Sequence, residues 1–441
     1  MKKTSFVSLC LLLLGSALSM YAEQRTAEDV MRIAASCFNT AAASSPAQSP
    51  ARMTAPVQEA GEAYYIIRNN AGPGFVIVSA DDRMPAVLGY SAESRFPEGD
   101  MPEHVRYFLH GYTEALQAVE AGAPADEVFP LIASTAAEEV QVGPLLGGIM
   151  FDQGYPYNYY TPTDKGRQTP SGCVATAMAQ IMRYYKYPAK GTGTFVVNGK
   201  KEDVVLDNMP FDWDNIRESY TANDDYTPQQ AEAVGRLLYA CGAAVYMEYS
   251  ASGSSSNAEK MIKAMRENFD YNSKAQLIQV SSMFTPEELI PMWVPDMMSQ
   301  LQASHPIFVA GGASISAGHA FVIDGYKAPN ATTSEVNDIL FHLNWGWSGL
   351  ANGYYYLNNL TPKAENDEPM SSEMYQNFSK SRCSWTFDLY PSNYTAIDDV
   401  EQLPRTLQNG DIYTVLGTKA DPNNLQPNTL YIHNGKKLIV R

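Results

Sequence analysis

Cysteine is scarce in this sequence. Five occur, at positions 10, 37, 173, 241 and 383, and no two share a spacing that would suggest a disulfide framework or a zinc site. Basic runs are missing as well: 31 Lys and Arg stand against 48 Asp and Glu, for a formal net charge of -17. The short pairs Lys200-Lys201 and Lys436-Lys437 read as solvated turns. A nucleic-acid surface needs a basic stripe, so nucleic acid is not expected as a partner. No apolar run is long enough for a stable membrane span, since the longest candidate, residues 6–14, falls short of a bilayer's thickness. No repeat of fixed period stands out, which argues against a solenoid.

What is present is ample material for more than one core: 45% of the 441 residues are hydrophobic and only 18% are charged. The N-terminus runs from Lys2 and Lys3 through the apolar stretch to Gly15, Ser16, Ala17 and Ser19, the order of a secretory signal peptide. Residues 1–22 are expected to be removed, by cleavage after Ser19 or Ala22. The chain is then expected to be exported, to a cell surface or periplasm, or secreted. Cys10 leaves with the signal, and Leu9 before it argues against lipid attachment. The remaining thiols are isolated, which raises the question of whether one is kept for chemistry.

Composition divides the rest. A short helix is expected at 27–37, a flexible Ala/Ser/Pro connector at 41–56, strands at 64–68 and 74–79, and an amphipathic helix at 102–119. Residues 133–142 are small and acidic, as in an exposed linker open to proteolysis. Residues 143–391 are aromatic and glycine-rich, with one strong helix opening at Cys173. The tail from 395 carries candidate strands at 411–416 and 430–440.

Val174, Met178, Ile181, Met182 and Tyr185 follow Cys173 at helical spacing, Tyr187-Pro188 ends the run, and Ser171 is a plausible N-cap. Cys173 then sits in the first turn, where free N–H groups and the helix dipole favour thiolate. The alternative is a small buried core cysteine. A thiolate nucleophile needs a proton partner, and of six histidines His319 stands out: it follows a glycine-rich loop (311–318) and opens the strand 320–323. His305 and His342 read as structural histidines. In NWGWSG (344–349), the Asn344 amide can orient an imidazole and an indole can shield it, or the segment is an aromatic turn packed for stability. Gln153, on a loop upstream of the cysteine, is either an oxyanion donor acting with the Cys173 N–H or an exposed loop glutamine.

Together, QGYPYN (153–158), SGCVATAMAQIMRYYKYP (171–188), GHAFVIDGY (318–326) and LNWGWSG (343–349) resemble the streptopain family of papain-like cysteine peptidases. The segment GFVIVSADDRMPAVLGYS (74–91) resembles that family's propeptide. The resemblance implies an α+β fold in which a helical subdomain faces an antiparallel, barrel-like β subdomain across a cleft, preceded by a small α+β propeptide domain. It implies Cys173 as nucleophile, His319 as its proton partner and Gln153 as oxyanion donor. Asn344 and Trp345 would orient and shield His319, with Trp347 nearby. Residues 245–253 are similar to the family's cleft-lining segment, so Met247, Tyr249 and Gly253 would line a pocket for the substrate residue preceding the cleaved one, and Gly318 would offer backbone.

By the same resemblance the substrates are proteins or peptides, and the chain's own propeptide (23–141) is an intramolecular inhibitor that displaces His319 until proteolysis removes it. The peptidase domain is then 142–394. No metal or organic cofactor is implied. Two features depart from the family pattern: Phe151 stands where many relatives have tryptophan, and the stretch from 158 to 173 is shorter than in the streptococcal prototype. The tail, 395–441, resembles C-terminal sorting domains of exported Bacteroidetes-type proteins through DIYTVLG (411–417) and LYIHNGKKLIVR (430–441), or is a small stabilising β appendage.

Two other functions fit part of the pattern. A transglutaminase-type acyl transferase uses the same thiol chemistry but wants an aspartate, and Asp324 lies on the same strand as His319. A non-catalytic binding or inhibitory protein could keep the fold.

Overall fold

Helix α1 (Ala27–Ser44) opens with Asp29 N–H bonded to Thr26 Oγ1 at 3.2 Å and buries Val30, Ala34 and Phe38 against a small sheet. It runs past the expected end near Cys37, because the alanines meant for a connector are the best helix formers of all. The sheet's first strands are β1 (Tyr64–Arg68), β2 (Phe75–Ser79) and β3 (Val87–Ser91), paired antiparallel in that order. Every residue of β2 is buried, since α1 covers one face and α2 (Glu103–Glu120) the other. The computed structural model describes residues 24–44, 53–55, 57, 62–99, 101–122, 140–221, 225–279, 286–312, 318–328, 339–357 and 384–394, with five short strands between 401 and 439. The signal segment and most of the 133–142 linker therefore lie outside the described residues.

The linker's end is not open chain. Residues Val140–Val142 form β4, paired antiparallel with Ala328, Lys327 and Tyr326 of the long strand β11 (Gly318–Ala328). Two short hairpins follow, β5 (Thr163–Asp164) with β6 (Arg167–Gln168) and β7 (Thr194–Phe195) with β8 (Val204–Val205). The other strands of the main sheet are β9 (Gln276–Gln279), β10 (Ile307–Gly312), β12 (Leu340–Asn344), β13 (Gly353–Tyr356) and β14 (Ser384–Phe387). They join the leader's strands in one antiparallel sheet, in the order β1-β2-β3-β13-β12-β11-β10-β14-β9. The seam is β3–β13, where Gly89 opposes Tyr355. Only glycine fits there, because a Cβ on residue 89 would meet the Tyr355 ring at 2.7 Å.

Three helices form the other wall: α3 (Cys173–Tyr185), α4 (Pro228–Ala244) and α5 (Ala258–Asn268). The α4 N-terminus is closed by a capping box between Thr227 and Gln230, with Pro228 at the first helical position. Residues Val174 to Met182 of α3 are all buried, as befits a helix packed against both α4 and β11. Helix α6 (Pro286–Gln302) lies against β10 and β11. The tail forms its own sheet of β15 (Glu401–Gln402), β16 (Ile412–Thr414), β17 (Lys419–Ala420), β18 (Leu430–His433) and β19 (Lys436–Ile439). The run at 430–440 is thus two strands and not one, Leu430–His433 pairing antiparallel with Lys436–Ile439.

Candidate active site

Cys173 is the first residue of α3, and its cap is Gly172 instead of the expected Ser171. The chain enters the helix at φ 90, and a Cβ on residue 172 would lie 2.7 Å from both Sδ and Cε of Met247. Both facts demand glycine, which displaces the serine by one position. The half-buried Cys173 thiol is pushed up in pKa by burial, an effect opposed by backbone N–H groups of Ala320, Val174 and Cys173 itself. Helix α3, which Cys173 opens, packs against β11, the strand that carries His319 and the buried Ala320.

The His319 imidazole faces elsewhere. Its Nε2 lies 2.8 Å from the Trp345 carbonyl, and its ring stacks on Trp347 (5.8 Å, 22°) and Trp345 (6.3 Å, 24°). Burial lowers its pKa to about 4, so the ring is neutral near pH 7; a carbonyl only accepts, so Nε2 carries the proton. Among the described residues no hydrogen bond joins the Cys173 thiol to this ring.

Among the described residues no hydrogen bond joins Asn344 to the imidazole. The Asn344 Nδ2 donates to Ile149 O (2.8 Å), and its Oδ1 accepts from Gly346 N–H (3.2 Å). Trp345 takes the orienting position through its main chain. It is fully buried, with N–H on Asn352 Oδ1 and Nε1–H on Ala351 O, and Phe108 of α2 packs edge-on against its indole at 5.4 Å. The leader therefore touches the residue that holds His319.

Gln153 lies on the loop before α3, with its carbonyl accepting from Ser171 N–H at 3.0 Å and its amide side chain without a hydrogen-bond partner among the described residues. Met247 packs beside Gly172, the residue before the nucleophile candidate. Tyr249 points away from the cleft: its buried hydroxyl presses on α4, where a Cβ at Gly242 would meet it at 2.1 Å, and no hydrogen-bond partner reaches it among the described residues. Gly253 is an exposed turn residue with φ 148, and Gly318 is the exposed first residue of β11.

Asp324 occupies a bulge between β11 and β12. This extra residue re-aims its carboxylate at His342 Nδ1 (2.6 Å) and Leu146 N–H (3.0 Å), away from His319. His305 contacts Gln300 Oε1 at 3.3 Å and packs on Tyr390, a structural role like that of His342. Two contacts escaped the reading of the sequence. Gln180 of α3 accepts from Phe151 N–H at 3.1 Å, and Ser348 donates to Asp152 Oδ2 at 2.7 Å. The only sequence signal for the first was a glutamine in a helix whose other buried residues are apolar apart from Thr176. Among the described residues, no cluster of His, Cys, Asp and Glu could hold a metal, and no helix is long and apolar enough to cross a membrane.

Residues 151–355 match the Peptidase C10 family, and residues 22–116 match the Spi protease inhibitor family. Streptopain of Streptococcus pyogenes is 31% identical over 327 residues, covering 69% of this chain and 76% of that protein. The chain belongs to the peptidase C10 family. It is a cysteine-type endopeptidase carried behind an inhibitor-type leader. The thiol protease/hemagglutinin PrtT of Porphyromonas gingivalis is also 31% identical, over 314 residues that make up 68% of this chain but only 34% of PrtT. Among solved structures, a mutant prointerpain A fragment from Prevotella intermedia superimposes with a TM-score of 0.59 at 28% identity, covering 77% of this chain and 99% of that one. The C10 chain thus has the α+β, papain-like fold with its leader domain in place.

Proposed function

We propose that this C10 peptidase is held latent by residues 23–141, that Cys173 is its nucleophile and His319 its proton partner, and that Trp345 O holds the imidazole in a resting orientation. The observation that carries the reading is the packing of α3, which Cys173 opens, against β11, which carries His319 on the opposite wall. On activation the ring leaves Trp345 O and takes the thiol proton. The thiolate then attacks the peptide carbonyl, forming a C–S bond, while Gln153 and the Cys173 N–H receive the oxyanion. The imidazolium gives its proton to the departing amine, leaving a thioester. Water, deprotonated by the imidazole, opens the thioester and restores the thiol.

In this reading the signal at 1–22 directs export, maturation falls within 133–142, the peptidase domain is 142–394, and the tail is a sorting or stabilising unit. Protein or peptide substrates lie along Met247, Gly253, Gly318 and Trp347, with Tyr249 supporting that wall from beneath. Asn344 reaches His319 only once the ring has swung. The acyl-transferase alternative loses its aspartate, since Asp324 is committed to His342 and Leu146. Intact-mass measurement of the secreted wild type beside Cys173→Ala is the test: the wild type should lose its leader while the variant stays full length. Self-cleavage of the variant would overturn the assignment.

A further inference from the structure

An oxyanion donor on a loop is useful only if the loop is held, because a displacement of about 1 Å can cost on the order of 100-fold in rate. The loop that carries Gln153 has no regular secondary structure, yet the two residues before Gln153 are gripped from across the cleft. Ser348 N–H donates to Phe151 O at 2.9 Å, and Ser348 Oγ donates to Asp152 Oδ2 at 2.7 Å. The other Asp152 oxygen accepts from the N–H groups of Gln153 and Gly154, the latter at 3.2 Å. On the nucleophile helix, Gln180 Oε1 accepts from Phe151 N–H, which ties the same loop to Cys173's own element.

Ser348 sits at φ 50, a left-handed conformation, between Gly346 at φ 73 and Gly349 at φ 81. Glycine would suit that backbone better, so a serine there points to a use for its hydroxyl. The geometry points to Asp152 and Ser348 as positioning residues that set Gln153 against Cys173 and lock the oxyanion loop to the tryptophan turn. This inference rests on the oxyanion role of Gln153 given above. Asp152 spans the joint, with one oxygen on the Gln153 main chain and the other on the turn that carries Trp347, whose indole stacks on His319. Turning the imidazole and settling Gln153 are thereby linked motions.

The test uses leader-free enzyme. Variants that do not mature themselves are clipped by a serine peptidase that is then inhibited. Peptide hydrolysis is compared with alkylation of Cys173 by iodoacetamide, which needs the thiolate but no oxyanion hole. Removing one oxyanion donor costs about 100-fold or more in kcat, so Ser348→Gly and Asp152→Ala, which only loosen it, should each lose about tenfold in kcat with KM little changed. Asp152→Asn should recover most of the loss, since an amide keeps an acceptor for Gln153 and offers a donor to Ser348. Alkylation rate and its pH profile should stay as in wild type. On a Gln153→Ala background the Ser348→Gly loss should nearly vanish. Ser348→Gly relieves backbone strain, so its loss cannot be laid to misfolding. The inference is overturned if the losses add on the Gln153→Ala background, or if alkylation slows in step with hydrolysis. If Gln153→Ala is itself fully active, the oxyanion assignment falls and the positioning role with it; if Gln153→Ala is impaired while Ser348→Gly is not, the positioning role alone falls.

Discussion

Phe108 is the leader side chain through which removal of the leader should be felt at the active site. It is 3% exposed and meets Trp345 and Tyr355 at 5.4 Å and Tyr112 at 5.8 Å, all edge-on. Truncating a buried phenylalanine costs about 3–5 kcal/mol, and this loss falls on the docked leader. Each 1.4 kcal/mol is a factor of ten, so Phe108→Ala should raise the fraction of precursor with an undocked leader by about 100-fold or more. The assay is the rate of Cys173 alkylation in full-length precursor at neutral pH, followed by mass, beside the midpoint of denaturant unfolding. In the docked state the thiol has a raised pKa and no imidazole to take its proton, so labelling should be slow in wild type and accelerate in the variant by the factor above. If the unfolding midpoint falls while labelling stays at the wild-type rate, the Phe108–Trp345 contact does not control the site and the reasoning fails.

The leader should also be pH-sensitive. Its hydrogen bond and ion pair with Glu62 raise the His110 pKa above 6.5, while His110 and Thr113 hold Glu62 below 4.5 despite burial. The histidine's contribution is complete below pH 6.5 and fades as pH rises through its raised pKa, whereas the glutamate's is complete above pH 4.5 and fades as pH falls through its lowered one. Precursor stability attributable to this pair should therefore peak between these values, and His110→Gln should flatten the alkaline limb in a series of thermal melts. Gly172→Ala should lower stability by about 1–3 kcal/mol, because it combines a left-handed backbone with a clash on Met247. On a Met247→Ala background the Gly172→Ala penalty should shrink by the steric share only; its complete disappearance there in chemical denaturation would show that φ at 172 carries no cost.

Much of this was legible in the chain. Hydrophobic spacing placed a helix at Cys173 and strands at 64–68 and 74–79, because buried faces impose their period on the sequence. The direction of the His319 ring was not legible: it is held by the carbonyl of Trp345, whose indole packs on Phe108, more than 200 positions away in the chain. Asn344 bonding to Ile149, Asp324 to His342 and Ser348 to Asp152 were hidden for the same reason, since side-chain partners across long separations leave no periodic trace. The Ser171 cap failed because a steric neighbour, Met247, decides the conformation at 172. The strand at 140–142 was masked by an acidic run just before it.

The seam between β3 and β13 has a consequence beyond inhibition. Once the leader departs, the main-chain groups of Tyr354 and Tyr355 that faced Tyr90 and Gly89 become a newly bared edge of the sheet, opposite the β9 edge. Such a margin invites a new neighbour strand, whether the released fragment returning, a second copy, or an extended segment of a protein being digested. In the proposed reading, loss of the leader would bare this border at the same step that releases His319.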